Sequence, residues 1–446
     1  MAVLRDASRD VDLRRLDRER VLRIRAGARS PLRNLLLFLL LIGPGILVMI
    51  GDNDAGGVIT YATTGARYGI GFFVPFLLLM IPVAYVVQEM TVRLGAVSQK
   101  GHAELIFDRF GRFWGIFSMT DLVLGNCLTL VTEFIGMAAG LSVFGVGLRT
   151  AVLTSALLVA ALVSVQRYVT AERVTLVFAA VNLVFIPLAI LAHPAPGQVA
   201  AALVRWTLPG GFTPSVLFLI IANVGTTIAP WMLFYQQGAV VDKGLTPRDI
   251  RHGQTDTLIG SLIMGVVAVA IVVLTGTLMF PRHIDVSNLS QAHWAQTLAP
   301  YLGPVADRLF GLGLFEAGLV AAITISLSSA WAAGEVSGRR HSLNASLRQA
   351  PLFYGIYVGS IAAAAAVVLI PGAPLQLITL TVQVIATLLM PPALTFLLLL
   401  ANDPEIMGEH RNRLGANLFT GGIVALILTL STLYGIVTVF PHAFVG

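Results

Sequence analysis

Charge is what this chain has least of. Only 12% of its 446 residues are Asp, Glu, Lys or Arg, while 56% are hydrophobic, and the mean hydropathy is +0.84. So few charges cannot cover a water-soluble globule of this length. Cysteine is nearly missing: the single Cys127 excludes an intrachain disulfide and a thiolate metal cluster. No Walker motif, nucleophile elbow or metal-hydrolase signature is present, so no enzymatic activity is expected. The formal charge of +6 would suit nucleic acid, but its placement speaks against that partner. Ten arginines crowd into residues 1–33, interleaved with acids. That pattern suits a solvated cytoplasmic tail near anionic lipid. The tail lacks an apolar stretch followed by a small-residue cleavage site, and we expect no removable signal peptide.

What the chain has in abundance is apolar runs near 20 residues, each long enough to cross a hydrocarbon core of about 30 Å. Eleven spans are expected, at about 34–66, 70–96, 115–145, 149–166, 172–193, 213–240, 255–281, 308–333, 350–371, 375–401 and 415–440. Charge placement tests this map. With the N-terminus in the cytoplasm, 24 of the 29 Lys and Arg fall on the inner side. The five outside are Arg67, Arg149, Arg205, Arg282 and Arg308. An error of one span would reverse every later loop and destroy the bias.

Spans one and six are too long and are interrupted. The first breaks at "DNDAGG" (Asp52–Gly57), the second at "NVGTTIAPWM" (Asn223–Met232). Two Gly/Pro-interrupted helices at matching positions in two halves point to an inverted-repeat transporter with its site at mid-membrane. The expected fold is all-α: eleven transmembrane helices in a 5+5 inverted repeat plus one helix. Repeat one covers 34–193, repeat two 213–401 and the extra helix 415–440.

Unwound backbone inside a bilayer is tolerated only where protein or a watery cavity satisfies it. The freed carbonyls near Asp54 and Thr226 are candidate cation ligands. A carboxylate at that depth costs several kcal/mol unless something compensates it, and no Lys or Arg lies near either break. A bound metal ion is the economical partner for Asp54. A structural role as a helix cap is the competing reading, and the two are compatible. Asp52 and Asn53 could face an aqueous vestibule, pair with each other or join the site. Neither break contains Cys or His. The donors on offer are a carboxylate, hydroxyls (Thr226, Thr227), amides (Asn53, Asn223, Gln383) and carbonyls, an oxygen set suited to a hard cation. Small neighbours, Ala55, Gly56, Gly57 and Ala229, leave room for a Mg²⁺ that keeps several waters. Mn²⁺ should also bind.

At these breaks the chain resembles the NRAMP family of divalent metal transporters. "GPGILVMIGDNDAGG" is similar to that family's GPG followed by its DPGN metal motif. "QEMTVRLGAVSQKGHAELI", "FDRFGRFWG" and "MPPALTFLLLLANDPEIMG" match later family segments. The resemblance implies a LeuT-like fold, shared with leucine and sodium symporters, and places Asp54 on the family's metal-binding Asp. Gly57 stands where the family has a metal-binding Asn, and Gln383 aligns with a glutamine that reaches the ion. The departures are informative. Thr226-Thr227-Ile228-Ala229-Pro230-Trp231 replaces A-T-V-M-P-H, so Ala229 stands for the selective thioether and Trp231 for the proton-active His. Leu130 replaces a proton-relay Asp, while Glu133 is retained. Together these changes resemble the NRAMP-related magnesium transporters, whose site is wider and whose transport is uncoupled from protons.

The expected metal-site set is therefore Asp54, Thr226, Thr227, Gly57, Ala229, Trp231, Asn53 and Gln383. Trp231 is a pocket wall or a packing residue, and Gln383 and Glu133 each have an interhelical hydrogen bond as the alternative role. Glu89 reads as a structural or interfacial acid, and Glu316 is ambiguous. Glycines near 140–147 suit close helix packing or a turn. All eight histidines map to loops or span ends, which argues against a buried relay. The expectation is a transporter of hydrated Mg²⁺, also Mn²⁺, working by alternating access without proton coupling. Its partners would be the divalent ion and the lipid bilayer, with no resident cofactor and no nucleic acid. It would act as a monomer in a bacterial inner membrane, N-terminus inside and C-terminus outside. The rivals are a proton-coupled Mn²⁺/Fe²⁺ importer, a symporter of small organic solutes, and a non-transporting sensor.

Overall fold

The computed structural model describes residues 41–286, 289 and 291–439, and every regular element among them is a helix. The arginine-rich segment 1–33 and the start of span one lie outside the described residues. Among the described residues, eight helices are long and apolar enough to cross a membrane. They answer to spans two, three and five to ten. Spans four and eleven correspond to shorter apolar helices, and span one is split, so helix lengths alone do not give eleven crossings.

The first span divides into α1 (Pro44–Asp52) and α2 (Ala55–Tyr68). Gly43, at φ +153°, turns the chain where a side chain would be strained, and Pro44 supplies a preset φ at the first helical position. α3 (Phe73–Ser98) and the short α4 (His102–Phe110) lead to α5 (Arg112–Ser142) and α6 (Leu148–Val163). The fifth span is α7 (Tyr168–Ala179), a 3₁₀ turn (Ala180–Val184) and α8 (Phe185–Leu191). After α9 (Pro196–Arg205), the sixth span splits into α10 (Pro214–Gly225) and α11 (Pro230–Lys243). Then come α12 (Ile250–Leu278), α13 (Gln291–Leu302), α14 (Pro304–Ser337), α15 (Pro351–Val368), α16 (Leu375–Asn402), α17 (Pro404–Met407) and α18 (Leu414–Val439).

Burial separates the centre from the lipid-facing ring. In the most apolar stretch of Pro214–Lys243, 89% of residues are buried, against 33% in Tyr168–Leu191 and 39% in Pro351–Val368. The interrupted sixth span is thus at the middle of the bundle. The first is there too: α1 and α2 pack against α12 and α14, and α14 lies along α5. Without a hydrophobic drive between helices in lipid, close approach needs small residues. A Cβ on Gly140 would strike the Gly311 carbonyl, and one on Gly136 would strike Ala55. Gly145, at φ +80°, makes the turn after α5. Both expected uses of the 140–147 glycines are realised.

The start of α1 is tied down by charge. Asp256 of α12 accepts from Gly43 N (3.1 Å), Gly45 N (2.7 Å) and Ile46 N (3.3 Å), the orphan amides of a helix start. Lys243, buried with its partner, pairs with Glu172 at 2.6 Å and donates to Ile42 O at 2.9 Å. On the same side Glu335 accepts from Ala103 N (3.0 Å) and Glu104 N (3.2 Å), capping α4.

The histidine expectation needs one correction. His102 lies in a connecting helix, but it is fully buried. Its Nδ1 is 2.9 Å from Gln237 Oε1, and its ring meets Phe234 edge-on. Close packing thus extends beyond the spanning helices into a connecting one.

Two outcomes follow. Asp256→Ala strips three amides of their acceptor and should cost about 1–3 kcal/mol. The melting temperature in detergent should drop by several degrees, with partial recovery in Asp256→Asn. Burial pushes the His102 imidazole down to about 4 from 6.5. Below pH 6.5 the unfolded chain binds a proton that the folded one refuses, so this group's contribution falls as pH drops towards 4. The stability difference between wild type and His102→Gln, followed by thermal unfolding from pH 7 to pH 4.5, should shift in favour of the variant.

Candidate functional site

The two breaks face each other across the bundle centre. Asn53 leaves helical geometry at ψ +50°, and Asp54 follows with extended backbone as the N-cap of α2. Asp54 Oδ1 accepts from Gly57 N at 2.5 Å, a cap bond, and from Gln383 Nε2 of α16 at 3.4 Å. Both bonds fall on Oδ1. Glu133 of α5 takes the next free amide: its Oε2 accepts from Ala55 N at 2.9 Å, and Oε1 accepts from Thr132 Oγ1 at 2.9 Å. Two carboxylates therefore share one helix start.

On the other side, the chain runs from Thr226 through Ala229 before Pro230 opens α11. Ala229 is extended, as a residue before proline must be. Thr226 sits opposite Gly57, where a Cβ would collide with Thr226 Oγ1 and lie 3.1 Å from Asp54 Oδ1. The Thr226 hydroxyl thus fills the space that a side chain at position 57 would use. Tyr61 Oη donates to the Thr226 carbonyl at 3.5 Å. A Cβ on the neighbouring Gly56 would meet Gln383 Nε2. Asp54, Gly57, Thr226 and Gln383 are brought together.

The other expected residues are placed differently. Thr227 spends its hydroxyl hydrogen on Asn223 O (2.7 Å), which leaves its oxygen lone pairs. Ala229 N donates to Met232 Sδ at 3.4 Å. Trp231 lies against the end of α1, with ring carbon Cη2 3.4 Å from a Cβ built on Gly51, and it meets Tyr235 edge-to-face. It is buried and its Nε1 has no partner. Asn53 turns the other way, donating to Asn182 Oδ1 (3.3 Å) and Met264 O (3.2 Å). Residues not singled out from sequence are Tyr61, Thr132, Asn182 and Met232. Tyr61 is two helical turns from Asp54, a spacing that could have flagged it. Asn182 is an amide in an apolar run.

Charge is the conspicuous feature. Asp52, Asp54 and Glu133 are at most 3% exposed. Among the described residues none of them forms an ion pair with Lys, Arg or His. The start of α2 supplies the equivalent of about half a positive charge. That does not balance three acids. Asp52 Oδ2, Asn223 Oδ1 and Thr226 Oγ1 are also buried without hydrogen-bond partners. Oxygen ligands in excess, with no protein cation, suit a hard metal ion and its water. No group of three or more His, Cys, Asp or Glu converges as a metal cluster among the described residues, so neutral oxygens must complete any ligand shell.

The profile of the family described as natural resistance-associated macrophage protein-like matches residues 45–438. The chain belongs to the NRAMP family. Among NRAMP relatives, a protein of Brucella suis named divalent metal cation transporter MntH is 29% identical over 301 residues, 64% of this chain and 64% of that protein. A Dictyostelium discoideum protein named natural resistance-associated macrophage protein 2 homolog is 26% identical over 424 residues, 90% of this chain. The chain spans 64% of the length of each of these two relatives. Among solved structures, the Eremococcus coleocola manganese transporter in complex with an aromatic bis-isothiourea compound superposes with a TM-score of 0.75 at 21% identity, covering 92% of this chain and 88% of that one. MhsT in complex with L-phenylalanine gives 0.57 at 14% identity, covering 88% and 97%. These likenesses establish a LeuT-like NRAMP fold in an integral membrane protein, and the Brucella suis relative and the Eremococcus coleocola structure are both named as metal transporters.

Gly57→Ala would press a methyl group onto Thr226 Oγ1 and Asp54 Oδ1 together. Its Kd for Mn²⁺, measured by calorimetry on the purified full chain, should rise at least about fivefold while the melting temperature stays within a few degrees.

Proposed function

We propose that the protein carries divalent metal ions across a membrane by alternating access, that Mg²⁺ and Mn²⁺ pass in partly hydrated form, and that protons are not stoichiometrically coupled. Asp54 gives the ion its anionic ligand. Thr226, Thr227 and the carbonyls of the two breaks bind it directly or through water. Half a rotation of the Gln383 amide would turn its oxygen onto the ion beside Asp54. Trp231 and Ala229 line the space and offer neither imidazole nor thioether. Repeats 34–193 and 213–401 would move against each other around this point, with the helix at 415–440 as an addition. We place the N-terminus inside, the C-terminus outside, and the molecule as a monomer in a bacterial inner membrane.

The observation that carries this reading is a buried acid at an unwound helix, ringed by oxygen donors and without a protein cation. A Mg²⁺ ion dehydrates reluctantly and keeps several waters, which one carboxylate with small neighbours accommodates. The membrane potential would drive a dication inward with ~4.6 kcal/mol per 100 mV, twice the single-charge value. The second reading is proton-coupled Mn²⁺ or Fe²⁺ import. Glu133 favours it, since its carboxylate caps the amide next to Asp54.

Proteoliposomes holding both a Mg²⁺ indicator and a pH indicator separate the two. We expect Mg²⁺ and Mn²⁺ uptake without lumenal acidification, and uptake in Asp54→Asn below about a tenth of wild type. Mn²⁺ uptake with acidification, and no Mg²⁺ uptake, would transfer the assignment to the second reading.

A further inference from the structure

The ends of α2 and α12 enclose, with α9, a cavity that the proposed transport does not use. Its volume is about 370 Å³, within the range of about 300–1,000 Å³ typical of small-ligand sites. Three segments form it: the turn at 68–71 after α2, α9 with the stretch that follows it, and the end of α12 with its 3₁₀ turn (Phe280–Arg282). They are seated closely on one another. A Cβ on Gly71 would strike Thr207 Oγ1 and the Thr207 carbonyl. One on Gly69 would lie 3.0 Å from Phe280 Cδ1, and one on Gly276 would lie 2.9 Å from Ile70 Cγ2. Packing therefore fixes the walls.

Charge in this cavity has one sign. Arg205, at the end of α9, lines it, and no Asp or Glu does. Among the described residues Arg205 takes part in no ion pair. Arg282, beside the cavity, is engaged elsewhere: it donates to Leu278 O at 2.6 Å and lies 4.7 Å over the Tyr301 ring. Gln198, Thr207 and Tyr68 add neutral donors to the lining. A guanidinium among uncharged donors, with no acid to answer it, suits a phosphate ester.

Aromatic rings set the level of the cavity in the membrane. Phe72, just ahead of α3, meets Trp206 and Phe212 edge-on, each at 5.8 Å, and stacks on Phe76 at 5.9 Å. Aromatic residues at the end of a span mark the boundary between hydrocarbon and headgroups. Val204 is 81% exposed and Phe212 76%. Apolar side chains around Arg205 thus face outward instead of packing inward. An unanswered cation beside such a patch, at that level, stands where lipid phosphates are.

We propose that this cavity binds the headgroup of an anionic phospholipid, with the phosphate on Arg205 and the acyl chains along the surface of Val204, Trp206 and Phe212. The bound lipid would bridge the end of α2 to α9 and α12. The site does not depend on which ion Asp54 binds.

Native mass spectrometry of the purified full-length protein, titrated with phosphatidylglycerol, phosphatidylcholine or glycerol 3-phosphate, tests this. Wild type should hold phosphatidylglycerol at least about fivefold more tightly than phosphatidylcholine. Arg205 is exposed, so Arg205→Gln should fold as wild type does, and it should lose one bound phosphatidylglycerol per chain. Arg149→Gln, which removes an exposed arginine at the start of α6, should lose none. Equal affinity for the two lipids, unchanged phosphatidylglycerol binding in Arg205→Gln, or the same loss in Arg149→Gln would each overturn the site. Glycerol 3-phosphate bound as tightly as the lipid would overturn it too, since the ligand would then be a soluble anion.

Discussion

The structure is organised around a carboxylate that has left water without acquiring a protein counter-ion. Asp54 stands at an unwound point between α1 and α2, buried, and its bonds to Gly57 N and Gln383 Nε2 are both dipolar. A helix start compensates only a fraction of a full charge. The remainder calls for a cation, and the surroundings decide which kind. Among the described residues the unpartnered ligand atoms near it are oxygens, and Ala229 and Trp231 contribute no ligand atom of the soft type. Selectivity in this region therefore follows from what is absent around the acid as much as from the acid itself.

Supporting elements hold the break open. Glu133 satisfies Ala55 N from α5, so the start of α2 is fixed by a neighbour and not only by its own cap. Asp256 and the Lys243–Glu172 pair fix the opposite end of α1. α1 is thereby a short lever with polar fastenings at both ends, set against α12 and α14. Such fastenings are discrete and exchangeable, unlike an apolar seam. That is what a helix would need in order to occupy two positions under the proposed alternating access.

Much of this was legible in the sequence because the bilayer penalises irregularity. Glycine, proline and acids inside runs of apolar residues stand out, so both breaks and Asp54 could be read directly. Gln383 was legible only as a polar amide in a distant span: it meets Asp54 across 329 residues, and it was the family resemblance that put it at the ion. The direction of Asn53 was not readable either, because a residue outside helical geometry has no helical phase to extrapolate. It turns to Asn182 and Met264 instead of the Asp54 side. The helices α4, α9 and α13 leave no mark in the hydropathy pattern, since each is too short to register as a crossing. His102 lies in one of them, and its burial is hidden from the sequence for the same reason.

Magnetic resonance on a Mn²⁺ ion bound at Asp54, in the full-length protein, reaches the central claim most directly. Proton couplings report water in the ion's shell, and nitrogen couplings report imidazole. Exchangeable water protons at ligand distance, lost with the ion in Asp54→Asn and free of directly bound nitrogen, are the expected result. An ion with no coordinated water, one bound through histidine nitrogen, or one still held at full affinity after Asp54→Asn would contradict it.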